Sequence, residues 1–300
     1  MMDFEYTPKG PFDLANQNQY FGGWPVLNGQ SGTIVISFPV EGWGGSAAVV
    51  LREAPDGKIM GRVYAPAGVA EKARSQALAC LSLDVAAESW PDVGQRDIVI
   101  GRMQERFRFL RPILFHSPYE AAAGFIIGHR ISIKQKQVLV AMLAEQLGQT
   151  MEIDGQIFHA FPDPQALLRL NVYKGLSEQK IERLHGIARA ALEGLLDRDR
   201  LRLLPISVAL TQLQSIPGIG PFFAQGILYR GAGVVDDITS DDLTQYAVQK
   251  AYQLDEPPND DQLQAIARAW QPYRMWATVL LHIWLRREVG LPSRRTYSRK

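Results

Sequence analysis

Cysteine is almost missing from this chain of 300 residues: Cys80 stands alone. One thiol excludes a disulfide within the chain and a four-cysteine iron–sulfur cluster. Excess charge is missing as well. Thirty-two Lys and Arg against 31 Asp and Glu leave a formal net charge of +1, so a basic surface has to be local rather than global. No run is apolar enough to span a membrane. Met1-Met2-Asp3-Phe4-Glu5 lacks the charged-then-apolar order of a secretory leader, and the expectation is a cytoplasmic protein. There is no low-complexity tract and no internal repeat. The five histidines show no metal-ligand spacing with Cys80 or with carboxylates. What is present is ordinary: 46% hydrophobic and 21% charged residues, a soluble globular composition with length for about two domains.

Residues 1–96 read mostly as strands. Segments 32–40, 46–52 and 58–64 are rich in β-formers, with a Pro55-Asp56-Gly57 turn between the last two. Residues 71–84 read as a helix against that sheet. From Ile98 onward the pattern is nearly all helical. The expected class is α+β, an N-terminal antiparallel sheet domain with a helix over 1–96 followed by a helical domain over 97–300. Ser117-Pro118-Tyr119-Glu120 and Ser132-Ile133-Lys134-Gln135 each read as a helix start with Ser as N-cap. Two helices therefore meet at Gly128-His129-Arg130-Ile131.

The densest signal lies at 213–242. Residues 208–216 have helical spacing, with Ser207 as N-cap. Pro217 ends that helix. Gly218 and Gly220 permit backbone angles that a Cβ forbids, and residues 222–231 read as helix again. Pro217-Gly218-Ile219-Gly220 thus forms a hairpin whose bare N–H groups face an incoming anion at a helix N-terminus. The same residues also fit a plain helix–helix turn. Twenty-two residues after Gly220, Asp241-Asp242 opens another helix. An Asp there has its ionised form favoured by the free N–H groups, and it is equally the default N-cap. Gly218-Ile219-Gly220 with Ala224 follows a helix, so a dinucleotide fingerprint is excluded.

Hairpin and carboxylate in this register resemble the helix-hairpin-helix DNA glycosylases, and among them the bacterial type II 3-methyladenine enzymes. The resemblance covers about residues 98–290 in register. It implies a small α/β domain followed by two helical lobes, acting as a monomer on double-stranded DNA that carries a damaged base. It implies Asp242 as the catalytic carboxylate, with Asp241 its neighbour. An ionised carboxylate stabilises positive charge developing on the sugar and directs the attacking water. Bifunctional relatives carry a Lys two positions past the second glycine; Phe222 stands there, which implies a monofunctional enzyme without a Schiff base. Phe222, Trp284 and Tyr20 would line the base pocket, since aromatic faces attract cationic alkylated purines. Trp270 and Trp276 are read as core. Arg130, with His129 beside it, takes the place of the wedge that fills the gap left by a flipped nucleotide. Relatives often have an apolar residue and an amide there, and the local pattern also fits an exposed basic linker. Gly226 and Leu243 stand where some relatives have aromatics.

The resemblance further implies a structural Na+ or K+ on the backbone carbonyls of Gln214, Ile216 and Ile219. It implies no cofactor for catalysis, no iron–sulfur cluster, and a place in base excision repair in the cytoplasm, with the nucleoid. Two other readings remain open: a helix-hairpin-helix module that binds damaged DNA without cutting it, and a glycosylase for an oxidised or deaminated base. Arg286, Arg287, Arg294, Arg295, Arg299 and Lys300 form a basic tail, read as a solvated end.

Overall fold

A computed structural model describes residues 1–21, 27–29 and 32–290; Arg294, Arg295, Arg299 and Lys300 lie outside the described residues. In chain order the elements are β1 (Met2–Tyr6), α1 (Leu14–Phe21), β2 (Thr33–Pro39), β3 (Ser46–Glu53), β4 (Ile59–Tyr64), α2 (Ala70–Cys80), α3 (Trp90–Arg96), α4 (Ile98–Arg106), α5 (Pro118–Gly128), α6 (Ile133–Leu147), β5 (Thr150–Ile153), β6 (Gln156–His159), α7 (Pro164–Leu168), α8 (Glu178–Leu192), α9 (Arg198–Leu203), α10 (Ile206–Gln214), α11 (Pro221–Gly226), α12 (Asp242–Tyr252), α13 (Asp260–Ala267) and α14 (Arg274–Trp284). The class is α+β, as the strand-then-helix order implies. None of the described helices is long and apolar enough to cross a membrane.

Two compact units divide the chain. One gathers Met1–Thr7, Gly23–Asp84 and Ile113–Gly233; the other gathers Pro8–Gly22, Val85–Pro112 and Val234–Lys300. The division expected at residue 96 follows secondary-structure type, whereas these units interleave along the sequence.

The first unit is built on an antiparallel sheet in the order β1-β4-β3-β2. Alternation puts Ile34, Ile36, Val49, Leu51, Ile59 and Val63 on one buried face, with α2 packed on β3 and β4. The other face receives β5 and β6, where Ile153 and Phe158 join Leu27, Val35 and Ala48. This second small sheet departs from the all-helical reading after Ile98. Its turn is Asp154-Gly155, both with positive φ (49° and 78°), a pairing that suits a two-residue hairpin. Glu41 and Arg198 meet in the core, each side chain 3% exposed. Arg198 also donates to the carbonyl oxygens of His116 (2.6 Å) and Phe115 (3.3 Å). Burial raises the Glu41 carboxyl above its usual range, and Arg198 opposes that rise. Cys80 is buried and its thiol is pushed up to about 12 by desolvation, which leaves it unreactive.

The second unit packs α14 into its centre. Trp276 and Trp270 are fully buried, so both are core residues as expected. Trp276 meets Trp90 edge-on at 5.5 Å. Asp97 caps α4 through the N–H groups of Val99 (2.9 Å) and Ile100 (3.2 Å) and accepts the Trp270 indole N–H at 2.9 Å.

Candidate functional site

The sequence-predicted residues fall on both units. Pro217, Gly218, Ile219, Gly220, Phe222, His129 and Arg130 lie on the first; Asp241, Asp242, Trp284 and Tyr20 lie on the second.

In the first unit α10 and α11 flank the hairpin. Pro205, not Ser207, takes the N-cap position of α10. Ser207 sits inside the first turn, where its carbonyl accepts the Thr211 hydroxyl at 2.9 Å. The chain turns over Ile216 to Ile219, and the Ile219 N–H donates to the Ile216 carbonyl at 3.0 Å. Ile219 is thus not among the bare donors; those of the exposed Gly218 and Gly220 have no partner among the described residues. The glycines also differ. Gly218 has φ +89°, and a Cβ there would lie 2.7 Å from Cδ of Arg183. Gly220 is extended (φ −85°, ψ 179°) with open space where a Cβ would go. Only Gly218 is demanded by backbone conformation. Arg183, from α8, is a cation against the hairpin with no ion-pair partner among the described residues. No sequence signal marked it, because it lies 35 residues upstream on a different helix.

Pro221 occupies the first position of α11. Phe222 follows, 62% exposed. Phe223 turns inward, stacking on Phe125 (centroids 5.2 Å apart, 19° between planes) and receiving the His129 ring edge-on at 5.9 Å. A Cβ at Gly226 would fall 2.5 Å from the Phe125 ring. Phe125 of α5 therefore fills the space beside that small residue. The Lys136 ammonium lies over Phe115 (5.3 Å) and Phe125 (5.9 Å), and burial lowers its pKa.

The α5–α6 junction is capped as the sequence predicts. The Ser117 hydroxyl accepts the Glu120 N–H at 3.1 Å, and Ser132 with Gln135 closes a reciprocal capping box. The Glu120 carboxylate pairs with His116 at 2.9 Å rather than closing a second box. Between the caps, Arg130 is exposed, has φ +59°, and has no hydrogen-bond or ion-pair partner among the described residues. Holding a non-glycine residue there costs roughly 1–2 kcal/mol. Lys180 donates to the Ile127 carbonyl at 2.8 Å and ties down the end of α5.

In the second unit, Asp241 and Asp242 have different jobs. Asp241 is the N-cap of α12, its carboxylate accepting the Thr244 N–H at 2.8 Å. Asp242, the next residue, is exposed and its carboxylate makes no hydrogen bond or ion pair among the described residues. Trp284, half-buried, closes α14. Tyr20 meets Phe107 edge-on at 5.2 Å, and the Arg287 guanidinium lies over its ring at 4.7 Å. That face of Tyr20 already carries a cation. Arg287 also donates to the Gln19 carbonyl at 3.3 Å. Among the described residues no group of three His, Cys, Asp or Glu is placed to hold a metal ion.

No family model matches the chain. Over 176 residues it is 31% identical to DNA-3-methyladenine glycosylase 2 of Escherichia coli, a stretch covering 55% of this chain and 56% of that protein. The chain thus spans little more than half the length of this relative. The 3-methyladenine DNA glycosylase from Archaeoglobus fulgidus superposes with a TM-score of 0.78 over 96% of this chain and 100% of that one, at 22% identity. The 8-oxoguanine glycosylase/lyase of Clostridium acetobutylicum, solved with double-stranded DNA, superposes with a TM-score of 0.69 over 95% and 98%, at 15% identity. The architecture is the helix-hairpin-helix DNA glycosylase fold. Within it, the chain resembles in sequence the DNA-3-methyladenine glycosylases.

Proposed function

We propose that this chain is a monofunctional DNA glycosylase that flips an alkylated base of the 3-methyladenine type out of duplex DNA and hydrolyses its glycosidic bond. The observation that carries the reading is Asp242, a carboxylate on the first turn of α12 left unpartnered because Asp241 does the capping. Breaking an N-glycosidic bond builds positive charge on the sugar. A carboxylate whose lone pairs are not spent on the protein can stabilise that charge and take a proton from the attacking water. Phe222 at the nucleophile's position leaves water as the reactant and an abasic site as the product.

The Gly218 and Gly220 N–H groups would bind a backbone phosphate, with Arg183 adding charge. The carbonyls of Gln214 and Ile219 have no partner among the described residues, and that of Ile216 accepts only the Ile219 N–H. Three such oxygens suit Na+ or K+, which would supply positive charge to the same phosphate. Arg130 would fill the gap left by the flipped nucleotide, with His129 beside it. Trp284 and Phe222 would supply aromatic surface for the base, whereas the Tyr20 face that Arg287 covers would not attract a cationic purine. The reading includes action as a monomer, in the cytoplasm with the nucleoid, within base excision repair. Release of free base from duplexes carrying single defined lesions tests it. Release of 3-methyladenine is expected. Binding without release of any base would favour a damage-binding module, and release confined to an oxidised or deaminated base would change the substrate class.

A further inference from the structure

Asp242 is untethered, yet the residues around it are tied on every side. Asp260, on the first turn of α13, accepts the Ser240 hydroxyl and, at 3.0 Å, the Gln245 side-chain amide. Asp241 binds the Thr244 N–H. The Thr244 side chain turns inward and is fully buried. Its hydroxyl lies 3.1 Å from Nε2 of His282 on α14 and 3.3 Å from the hydroxyl of Thr239.

A buried hydroxyl requires a partner. This one has two, and it is not needed as a helix cap because Asp241 already serves. A hydroxyl has one proton to give and lone pairs to accept with, so it can bridge His282 and Thr239 with either ring nitrogen state. The His282 end of the bridge stands on α14, whose residues Met275 to Leu281 are all buried.

We propose that Thr244 and His282 are positioning residues for Asp242. Their hydrogen bond pins the first turn of α12 to α14, so the backbone aims the carboxylate and no donor has to. A reacting group must be held to within about 0.5 Å. A hydrogen bond made directly to the carboxylate would aim it at the cost of the charge the reaction uses. Holding the turn two residues away satisfies both demands. The inference rests on the glycosylase reading, with Asp242 as the reacting carboxylate.

Thr244→Val, Thr244→Ser, His282→Phe and the Val/Phe double variant test it. Three quantities are measured for each: the single-turnover rate of base release, Kd for an abasic-analogue duplex, and the melting temperature. Thr244→Val and His282→Phe should each slow release roughly 10- to 100-fold, the scale of a misplacement near 1 Å, with Kd unchanged. Thr244→Ser keeps the hydroxyl and should restore most of the rate. The double variant should be no slower than the slower single one, because both changes break the same link. Undiminished release in the single variants, losses that multiply in the double variant, or losses that follow melting temperature would each overturn the proposal. If the wild type releases no base, the glycosylase reading falls and this inference with it. Release by the wild type with undiminished variants removes this inference alone.

Discussion

Exchanging Asp241 and Asp242 one at a time should separate a structural carboxylate from a chemical one. Asp241→Ala removes the acceptor 2.8 Å from the Thr244 N–H and should cost about 1 kcal/mol of stability, a melting shift of roughly 2–4 °C. Asp241→Asn restores the acceptor and should restore the melting temperature, with base release close to wild type. Asp242→Asn breaks no hydrogen bond among the described residues. It loses only the attraction of a charge to the α12 N-terminus, about 0.3–1 kcal/mol. Its effect on chemistry should be far larger. By comparison with removal of one oxyanion-hole donor, losing a preorganised electrostatic group costs about 2.7–4 kcal/mol, or 10²- to 10³-fold in rate. The assay is single-turnover release of base from a lesion duplex, beside a binding titration on the same DNA. Binding by Asp242→Asn should persist, since neither the hairpin nor the fold needs this charge. An active Asp242→Asn beside a dead but well-folded Asp241→Asn would refute the division of roles.

Further outcomes are expected. Borohydride should trap no covalent protein–DNA adduct, because Phe222 stands where a Schiff-base lysine would be; an adduct in high yield, seen on a denaturing gel, would end the monofunctional reading. Arg130→Ala should weaken binding to an abasic-analogue duplex more than to its undamaged control, since a wedge offsets an unstacking cost of a few kcal/mol; equal losses with a salt slope shallower by about one unit would make Arg130 an ordinary phosphate contact. Gly218→Ala should lose about 1–2 kcal/mol of stability, because its φ of +89° disfavours a Cβ and Arg183 must move, whereas Gly220→Ala should melt as the wild type does; equal melting of the two variants would contradict the hairpin geometry. Arg198→Met should destabilise by about 3–5 kcal/mol at neutral pH. The sign follows from Glu41, whose folded pKa is raised and rises further without Arg198: the loss is smallest at acid pH, where folded Glu41 is protonated with or without Arg198, and it grows as pH climbs past the raised wild-type value towards the still higher value of the variant. Denaturant titrations at pH 4 and pH 7 check this, and equal losses at both would refute it.

Much of the local structure was legible because the signals are local. Ser117 and Ser132 cap helices through N–H groups three residues away. The β5–β6 hairpin was missed although Asp154-Gly155 is a turn signal, since the strands are four residues each and lie among helices. Capping preference points to Ser207, whereas α10 begins at Ile206 with Pro205 in the N-cap position, two residues earlier.

The sequence by itself determined the α+β order, the Pro217-Gly218-Ile219-Gly220 hairpin and a pair of carboxylates at the mouth of α12. Those follow from residue type and short-range spacing. Only the tertiary structure decided which of the two carboxylates is spent on the helix. The same is true of Phe125 beside Gly226, Arg183 against Gly218 and Arg287 over the Tyr20 ring. It also decided that Thr244 reaches His282, 38 residues away. Partners separated by 35 to 267 residues meet through the packing of whole helices, and no spacing rule along the chain encodes that approach.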